Sequence, residues 1–384
     1  MRRVIICGLF KYPRGGALAN YIQYLASALQ TAGYQVEILS YINPEFCSSD
    51  LYEYKNVSIH EISCKKGPKP LRRLMNGKLF PITLENGLKK LKLSENDVVI
   101  PSFSVLPLKS LFKLKNKYGF KTVGIPLEWF SDEDFSNDYY RREFRERFAM
   151  NQNHDLLFPI SHLISEQFPN VPSLILPPMT DTHEFPFVEK KEGPYEFIFS
   201  ANGKMKDALP EMLQGTAMLS DEQIGSMKLH LTGVKEETVR EILDETDFER
   251  LKDTLIVHNW MQYDELIALY QRVHYLFLAR KTCQMTLANF PSKVPEAMTY
   301  GIVPVVSRVG DYTKYYLEDN VNSLIFDGYD KKACYESLCR ALEVPFSDYQ
   351  KLSHGARKCA EDRFDYRNWS EPIKDKIESL YKKD

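Results

Sequence analysis

Two successive runs of alternating strand-like and helix-like segments constrain this chain more than any other feature. The first begins with the apolar strand Val4-Ile5-Ile6-Cys7, turns through Pro13-Arg14-Gly15-Gly16, and enters a helix at about Ala17. Leu18, Tyr21, Ile22, Leu25, Ala26 and Leu29 recur there at helical spacing. Gly33 suits the end of that helix, and Val36 to Leu39 reads as the second strand. Further strands are expected at 57–62, 97–101, 121–125 and 156–160, with a solvated helix over 143–151. A proline-rich stretch over 169–178 then breaks the pattern, so the interdomain linker is placed around Pro177-Pro178-Met179. The second run has strands at 197–200, 229–233, 255–257 and 275–278, with helices at 207–218, from about Glu236, and at 263–271. Strands alternating with helices of this length build parallel sheets. A last helix, from about Tyr366 through Trp369, Ile373, Ile377 and Leu380, has an apolar stripe and no strand after it.

Composition narrows the class. A chain of 384 residues with 43% apolar content suits two or three globular domains. The net charge of −2 argues against a nucleic-acid binder. The seven cysteines are odd in number and scattered, which fits a reduced, cytoplasmic protein. The basic start Met1-Arg2-Arg3 and the apolar run to Phe10 are too short for a leader and read better as a first strand. No apolar stretch approaches the roughly 20 residues of a spanning helix, so any membrane association is expected to be peripheral, on the inner face. Charge is uneven: from Lys65 to Lys121, 14 basic residues face only Glu85, Glu95 and Asp97, a local excess of +11. Solvated helix faces account for such a run. So does an electropositive surface for an anionic leaflet or a lipid-diphosphate acceptor, at about 1 kcal/mol per basic residue near the bilayer.

The chemistry concentrates in Asn289-Phe290-Pro291-Ser292-Lys293-Val294-Pro295-Glu296, which leads through Gly301 to Pro304-Val305-Val306. This reads as a turn-rich loop, a short helix, a glycine cap and a buried strand. A helix entrance offers backbone N–H groups to anions such as phosphate. Lys293 adds a point charge, and the acceptor-only carboxylate of Glu296 can hold sugar hydroxyls. A plain helix–strand hairpin would share the pattern.

The motif resembles the donor-binding signature of family 4 glycosyltransferases, in the subgroup with Phe-Pro-(Ser/Thr)-Lys-Val-x-Glu followed by Gly-x-Pro-Val-Val. The resemblance implies the GT-B fold, an α/β architecture of two Rossmann-like parallel-sheet domains facing across a cleft. The implied domains are 1–178, acceptor-binding; 179–365, nucleotide-sugar-binding; and 366–384, a C-terminal helix crossing back to the first. It implies donor contacts from Gly15 and Gly16, Asn202, Lys206, Arg280, Phe290, Pro291, Ser292, Lys293 and Glu296, with Glu296 on the nucleotide ribose. Catalytic work falls to Lys206 and Lys293 on the leaving diphosphate, and to Glu128 facing the acceptor. Glu128 lies in Leu127-Glu128-Trp129-Phe130, similar to the subgroup's Glu-Trp loop, and capping of the next helix is the competing role. The chain departs from the family pattern in two places: either Asn202 stands where an arginine is common or that arginine is displaced, with Arg280 able to compensate, and Ala288 stands where a first glutamate is common.

The implied activity is a retaining, metal-independent transfer of sugar from a nucleotide-sugar to a glycan or lipid-linked acceptor in surface polysaccharide synthesis. No metal or other cofactor is expected, because His230, His258 and His274 lack ligand spacing. The two departures motivate an alternative, a glycan- or nucleotide-binding protein of the same fold without turnover. A GT-B epimerase or phosphorylase has less support: the signature is that of family 4, and the chain is short for a phosphorylase.

Overall fold

A computed structural model describes residues 2–14, 16–43, 53–63, 68–75, 79–200, 206–259 and 261–382, without the side chains of Arg72 and Tyr263. The chain divides into two compact units, Met1–Met179 with Tyr366–Asp384, and Thr180–Asp365.

In the first unit β1 (Arg3–Tyr12) leads into α1 (Ala17–Thr31) and β2 (Gln35–Ile42). A short β3 (Glu53–Tyr54) and β4 (Val57–Glu61) follow, then α2 (Lys69–Met75), α3 (Phe80–Lys90) and β5 (Val98–Ser102). After α4 (Val105–Tyr118) come β6 (Lys121–Gly124), α5 (Asp138–Ala149), β7 (Leu156–Leu157) and α6 (His162–Ser165). The sheet order is β3-β4-β2-β1-β5-β6-β7, parallel except for the β3–β4 pair.

Strand periodicity explains why β1 lies at the centre. Val4 and Ile6 point into one core with α1, whereas Ile5 and Cys7 point into the other with α3 and α4. All four are completely buried. Full burial of such aliphatic side chains stabilises by about 1.5–3 kcal/mol each.

Gly33, at φ 90°, takes the left-handed position after α1, which a glycine adopts without a Cβ penalty. The α5 helix begins at Asp138 rather than near 143, because Asn137 caps it by accepting from the Tyr139 amide. β7 is only two residues long, shorter than its apolar sequence suggests.

The second unit runs β8 (Tyr195–Ser200), α7 (Leu209–Ala217), α8 (Asp221–Gly225), β9 (Met227–Thr232), α9 (Glu236–Ile242) and α10 (Glu245–Leu251). It continues with β10 (Leu255–Val257), α11 (Tyr263–Tyr270), β11 (Tyr275–Leu278), α12 (Gln284–Ala288) and α13 (Lys293–Thr299). β12 (Val303–Ser307), β13 (Leu324–Phe326), α14 (Lys331–Leu342) and α15 (Phe346–Cys359) complete it. Its all-parallel sheet has the order β10-β9-β8-β11-β12-β13.

The chain then returns to the first unit. A helical turn over Tyr366–Trp369 precedes α16 (Ser370–Ser379), whose Ile373 and Ile377, one turn apart, are fully buried in the core that α1 shares. Glu378 fixes the far end by pairing with Arg2 at 3.1 Å and accepting from the Tyr34 hydroxyl at 2.9 Å.

Candidate functional site

Open parallel sheets bind ligands outside the carboxyl ends of their strands, where the strand order reverses. The reversal lies between β1 and β5 in the first unit, and between β8 and β11 in the second.

In the first unit the β1 reversal point carries the glycine turn. Gly16 is exposed at φ 100° and opens α1. Gly15 lies outside the described residues. Asn43, at the end of β2, pins the turn by donating from Nδ2 to the carbonyls of Pro13 (3.1 Å) and Arg14 (2.7 Å). Gly8 keeps β1 against β5: a Cβ there would come within 2.8 Å of the Ser102 carbonyl. Glu128 is exposed in the loop after β6. Its neighbour Trp129 stacks on Phe148 at 5.5 Å, and Phe130 packs on Phe144 at 5.1 Å. The loop is therefore anchored by rings while its carboxylate faces solvent.

In the second unit the segment leaving β8 is outside the described residues from 201 to 205, which takes in Asn202. From Lys206 onward it is held to the end of β11. The Lys281 amide donates to the Lys206 carbonyl at 3.1 Å, and the Ala208 amide to the Ala279 carbonyl at 2.9 Å. This local antiparallel pairing sets Asp207 against Arg280. The Arg280 amide also donates to Ser307 Oγ at 2.8 Å, tying it to the end of β12.

The Arg280 side chain is only 1% exposed, with Nε 3.5 Å from Asp207 Oδ1, and among the described residues its Nε and Nη1 have no hydrogen-bond partner. Sequence reasoning places Arg280 on donor phosphates. In the structure its side chain is closed from solvent beside Asp207. Burial pushes the Asp207 carboxyl up, against the downward pull of Arg280 and Lys206.

The motif after α12 is also more closed than its sequence suggests. Phe290 is a core residue, its ring 5.7 Å from Tyr312, 5.3 Å from Tyr316 and 5.8 Å from Phe364. Pro291 and Ser292 are half-buried and lead into α13, which has only seven residues. Its amides are largely spent: Val294 donates to the Pro291 carbonyl at 3.0 Å, Glu296 to Ser292 at 3.3 Å, and Pro295 has none.

Lys293 Nζ lies 3.4 Å from Glu296 Oε2, with the two side chains 38% and 26% exposed. The Glu296 charge, aided by Tyr270, raises the Lys293 pKa, so Lys293 stays cationic. Gly301 ends the motif at φ 70°, where a Cβ would strike the Phe187 ring at 2.3 Å.

One line of contacts joins these pieces. Phe290 packs on Tyr312, whose hydroxyl donates to the Ser307 carbonyl at 3.4 Å, and Ser307 Oγ accepts from the Arg280 amide beside Asp207 and Lys206. Burial lifts the Tyr312 phenol to about 12, so it stays protonated and able to donate. Sequence reasoning missed Asp207, Ser307 and Tyr312. Ser307 was detectable, since it closes the apolar strand β12.

The histidines belong elsewhere. His230 is buried between Glu196 and His258, at 2.9 Å from each, as part of a core network. Among the described residues no group of three His, Cys, Asp or Glu side chains could hold a metal ion. No helix among them is long and apolar enough to cross a membrane.

Comparison with known proteins agrees with this frame. The family model described as "Glycosyl transferases group 1" matches residues 181–359. No curated protein sequence matches the chain significantly. Among solved structures, sucrose-phosphate synthase from Thermosynechococcus elongatus is 14% identical, with a TM-score of 0.73 over 99% of each chain. HepE from Anabaena, solved with UDP and glucose, is 12% identical, with a TM-score of 0.70 over 99% of this chain and 100% of that one. The pneumococcal O-GlcNAc transferase GtfA, solved with UDP and GlcNAc, is 11% identical, with a TM-score of 0.69 over the whole of both chains. At these identities the structural likeness establishes fold alone. The chain thus has the GT-B fold, and nearly all of its second unit carries the sequence pattern of glycosyl transferases group 1.

Proposed function

We propose that this protein is a retaining family 4 glycosyltransferase that moves a sugar from a nucleotide-sugar donor to a glycan or lipid-linked acceptor in surface polysaccharide synthesis. The observation that carries the reading is the second unit's reversal point. The Lys206 backbone is held there to Lys281, Asp207 lies against Arg280, and contacts through Ser307, Tyr312 and Phe290 run on to the Lys293–Glu296 motif, all within the stretch matched by the family model.

Breaking the sugar–phosphate bond sends its electron pair onto the departing diphosphate. Cations placed where that charge develops lower the barrier, and positioning supplies much of the rest. Lys206 and Lys293 take this role directly. Glu296 Oε2 faces Lys293, and Oε1 is offered to ribose hydroxyls. Gly16 lets phosphate approach the α1 entrance, and Glu128 orients the acceptor hydroxyl or takes its proton. UDP and sugars bound to structurally similar proteins support UDP-sugars as first donors to try. The exposed lysines of α2 to α4, among them Lys69, Lys90 and Lys113, suit an anionic leaflet carrying the acceptor.

The test is hydrolysis and binding across a nucleotide-sugar panel, with and without lipid acceptors. Turnover of at least one donor is expected. Lys293→Ala and Glu296→Ala should each weaken donor affinity at least tenfold. If no donor binds or turns over, the enzyme reading fails. Binding without turnover would favour the alternative of a nucleotide-binding protein, which the fully buried Ala288, at a position that is often glutamate, keeps in play.

A further inference from the structure

Leu106, Tyr139 and Tyr140 are the most exposed large apolar side chains among the described residues, at 63%, 64% and 62%, and no other exceeds 48%. Single exposed apolar residues need no explanation, but adjacent ones do. The two helices that carry them are joined side by side. Leu106 lies in the first turn of α4, and the two tyrosines lie in the first turn of α5. Glu143 of α5 accepts from the Val105 amide that starts α4, at 2.9 Å, and the Lys109–Glu146 ion pair joins the next turns. The tyrosine rings meet edge to face at 5.5 Å, and Asn137 holds the backbone beneath them by accepting from the Tyr139 amide at 2.8 Å.

Location and charge say what this rim fits. α4 starts at the carboxyl end of β5, the ligand-binding end of the sheet, and α5 follows the loop that carries Glu128 away from β6. From Glu128 to Arg147 there are seven acidic and four basic residues, a local balance of −3, against +11 over 65–121. Two of the four arginines are ion-paired: Arg141 with Asp138 at 3.0 Å, and Arg145 with Asp132. The tyrosine side of the rim, unlike the α4 lysines beside it, does not attract phosphate or an anionic leaflet. Tyrosine offers a large, rigid, amphipathic face at low entropic cost, suited to a ligand with apolar C–H faces and hydroxyl edges.

We propose that Tyr139 and Tyr140, with Leu106, form a platform for the uncharged pyranose rings of a glycan acceptor. The C–H faces stack on the phenols, and ring hydroxyls reach Asn137 and Asp138. Its role as an acceptor platform rests on the glycosyltransferase reading; the binding itself does not.

Saturation-transfer NMR on the full-length protein tests this with three uncharged probes, maltohexaose, cellohexaose and laminarihexaose. At least one should receive saturation from the wild-type protein. Its affinity should fall at least tenfold in Tyr139→Ala/Tyr140→Ala and stay within threefold in Tyr139→Phe/Tyr140→Phe. Val321→Ala, an exposed apolar residue elsewhere, should bind as wild type does. The proposal is overturned if none of the three glycans binds, or if the double alanine variant binds undiminished. It is equally overturned if that variant instead loses co-sedimentation with phosphatidylglycerol vesicles while glycan binding persists. Glycan binding that depends on the tyrosines, in a protein that hydrolyses no nucleotide-sugar, would sink the transferase reading and still support the platform.

Discussion

At the scale of single residues, the most consequential arrangement is the Asp207–Arg280 pair, because both members are buried and nothing local in the sequence brings them together. Lys206 stood out as a cation in a loop, but nothing in the sequence says that the next residue turns inward. That follows from the pairing of 206–208 with 279–281, a contact between segments some 70 residues apart. Arg280→Met leaves Asp207 buried beside no guanidinium. Removing one member of a buried pair costs about 3–5 kcal/mol when the other stays charged. The Asp207 carboxyl is already raised by burial, and Arg280 holds it down, so the substitution raises it further. The folded protein then keeps this proton at pH values where the unfolded chain, with a carboxyl pKa near 4, has lost it. Stability from such a group is complete below the unfolded pKa and is lost as pH rises through the folded one. The stability deficit of Arg280→Met in urea should therefore be larger at pH 7 than at pH 5, and adding Asp207→Asn should flatten the difference. Equal deficits at the two pH values would mean that Asp207 does not titrate in this range.

At the scale of elements, legibility followed how completely a segment is buried. Strands such as β1, β8 and β11, covered on both faces, are continuous apolar runs and were readable as such. α5 was read late because its first turn, Asp138-Tyr139-Tyr140, has no apolar face turned inward; Phe144 is its buried contact, and the Asn137 cap sets its start. The 289–306 motif was legible as loop, helix, glycine and strand. What could not be read was that Phe290 is a core residue, since that depends on Tyr312, Tyr316 and Phe364 packing from elsewhere in the unit. The glycine turn shows the same limit, as its clamp, Asn43, comes from the far end of another strand. Asn43→Ala removes two donated hydrogen bonds, worth about 1 kcal/mol each. It should lower stability by roughly 1–2 kcal/mol and, if the turn faces the donor diphosphate, weaken UDP binding several-fold. The first effect is read from urea unfolding and the second from calorimetry. A variant with lowered stability and unchanged UDP affinity would remove the turn from the donor site.

At the scale of the whole molecule, the division into Met1–Met179 with Tyr366–Asp384, and Thr180–Asp365, makes the assignment of the donor to one unit testable without a bound structure. Each unit has its own sheet and its own buried core, so each can show its own unfolding transition. The two transitions can be labelled independently. Ile373→Ala empties a fully buried site in the core shared by α1 and α16, a type of change that costs about 2–5 kcal/mol, and it identifies the first unit's transition by lowering it. A ligand that binds only the folded form stabilises by RT ln(1 + [L]/Kd), or about 2.7 kcal/mol at one hundred times Kd. If Lys206, Lys293 and Glu296 hold the nucleotide, UDP at that excess should raise the transition that Ile373→Ala leaves in place, and should do so equally in the variant. The Lys293→Ala variant should lose most of that shift. Were UDP to raise the transition lowered by Ile373→Ala instead, the nucleotide would belong to the first unit, and the donor and acceptor roles of the two units would have to be exchanged.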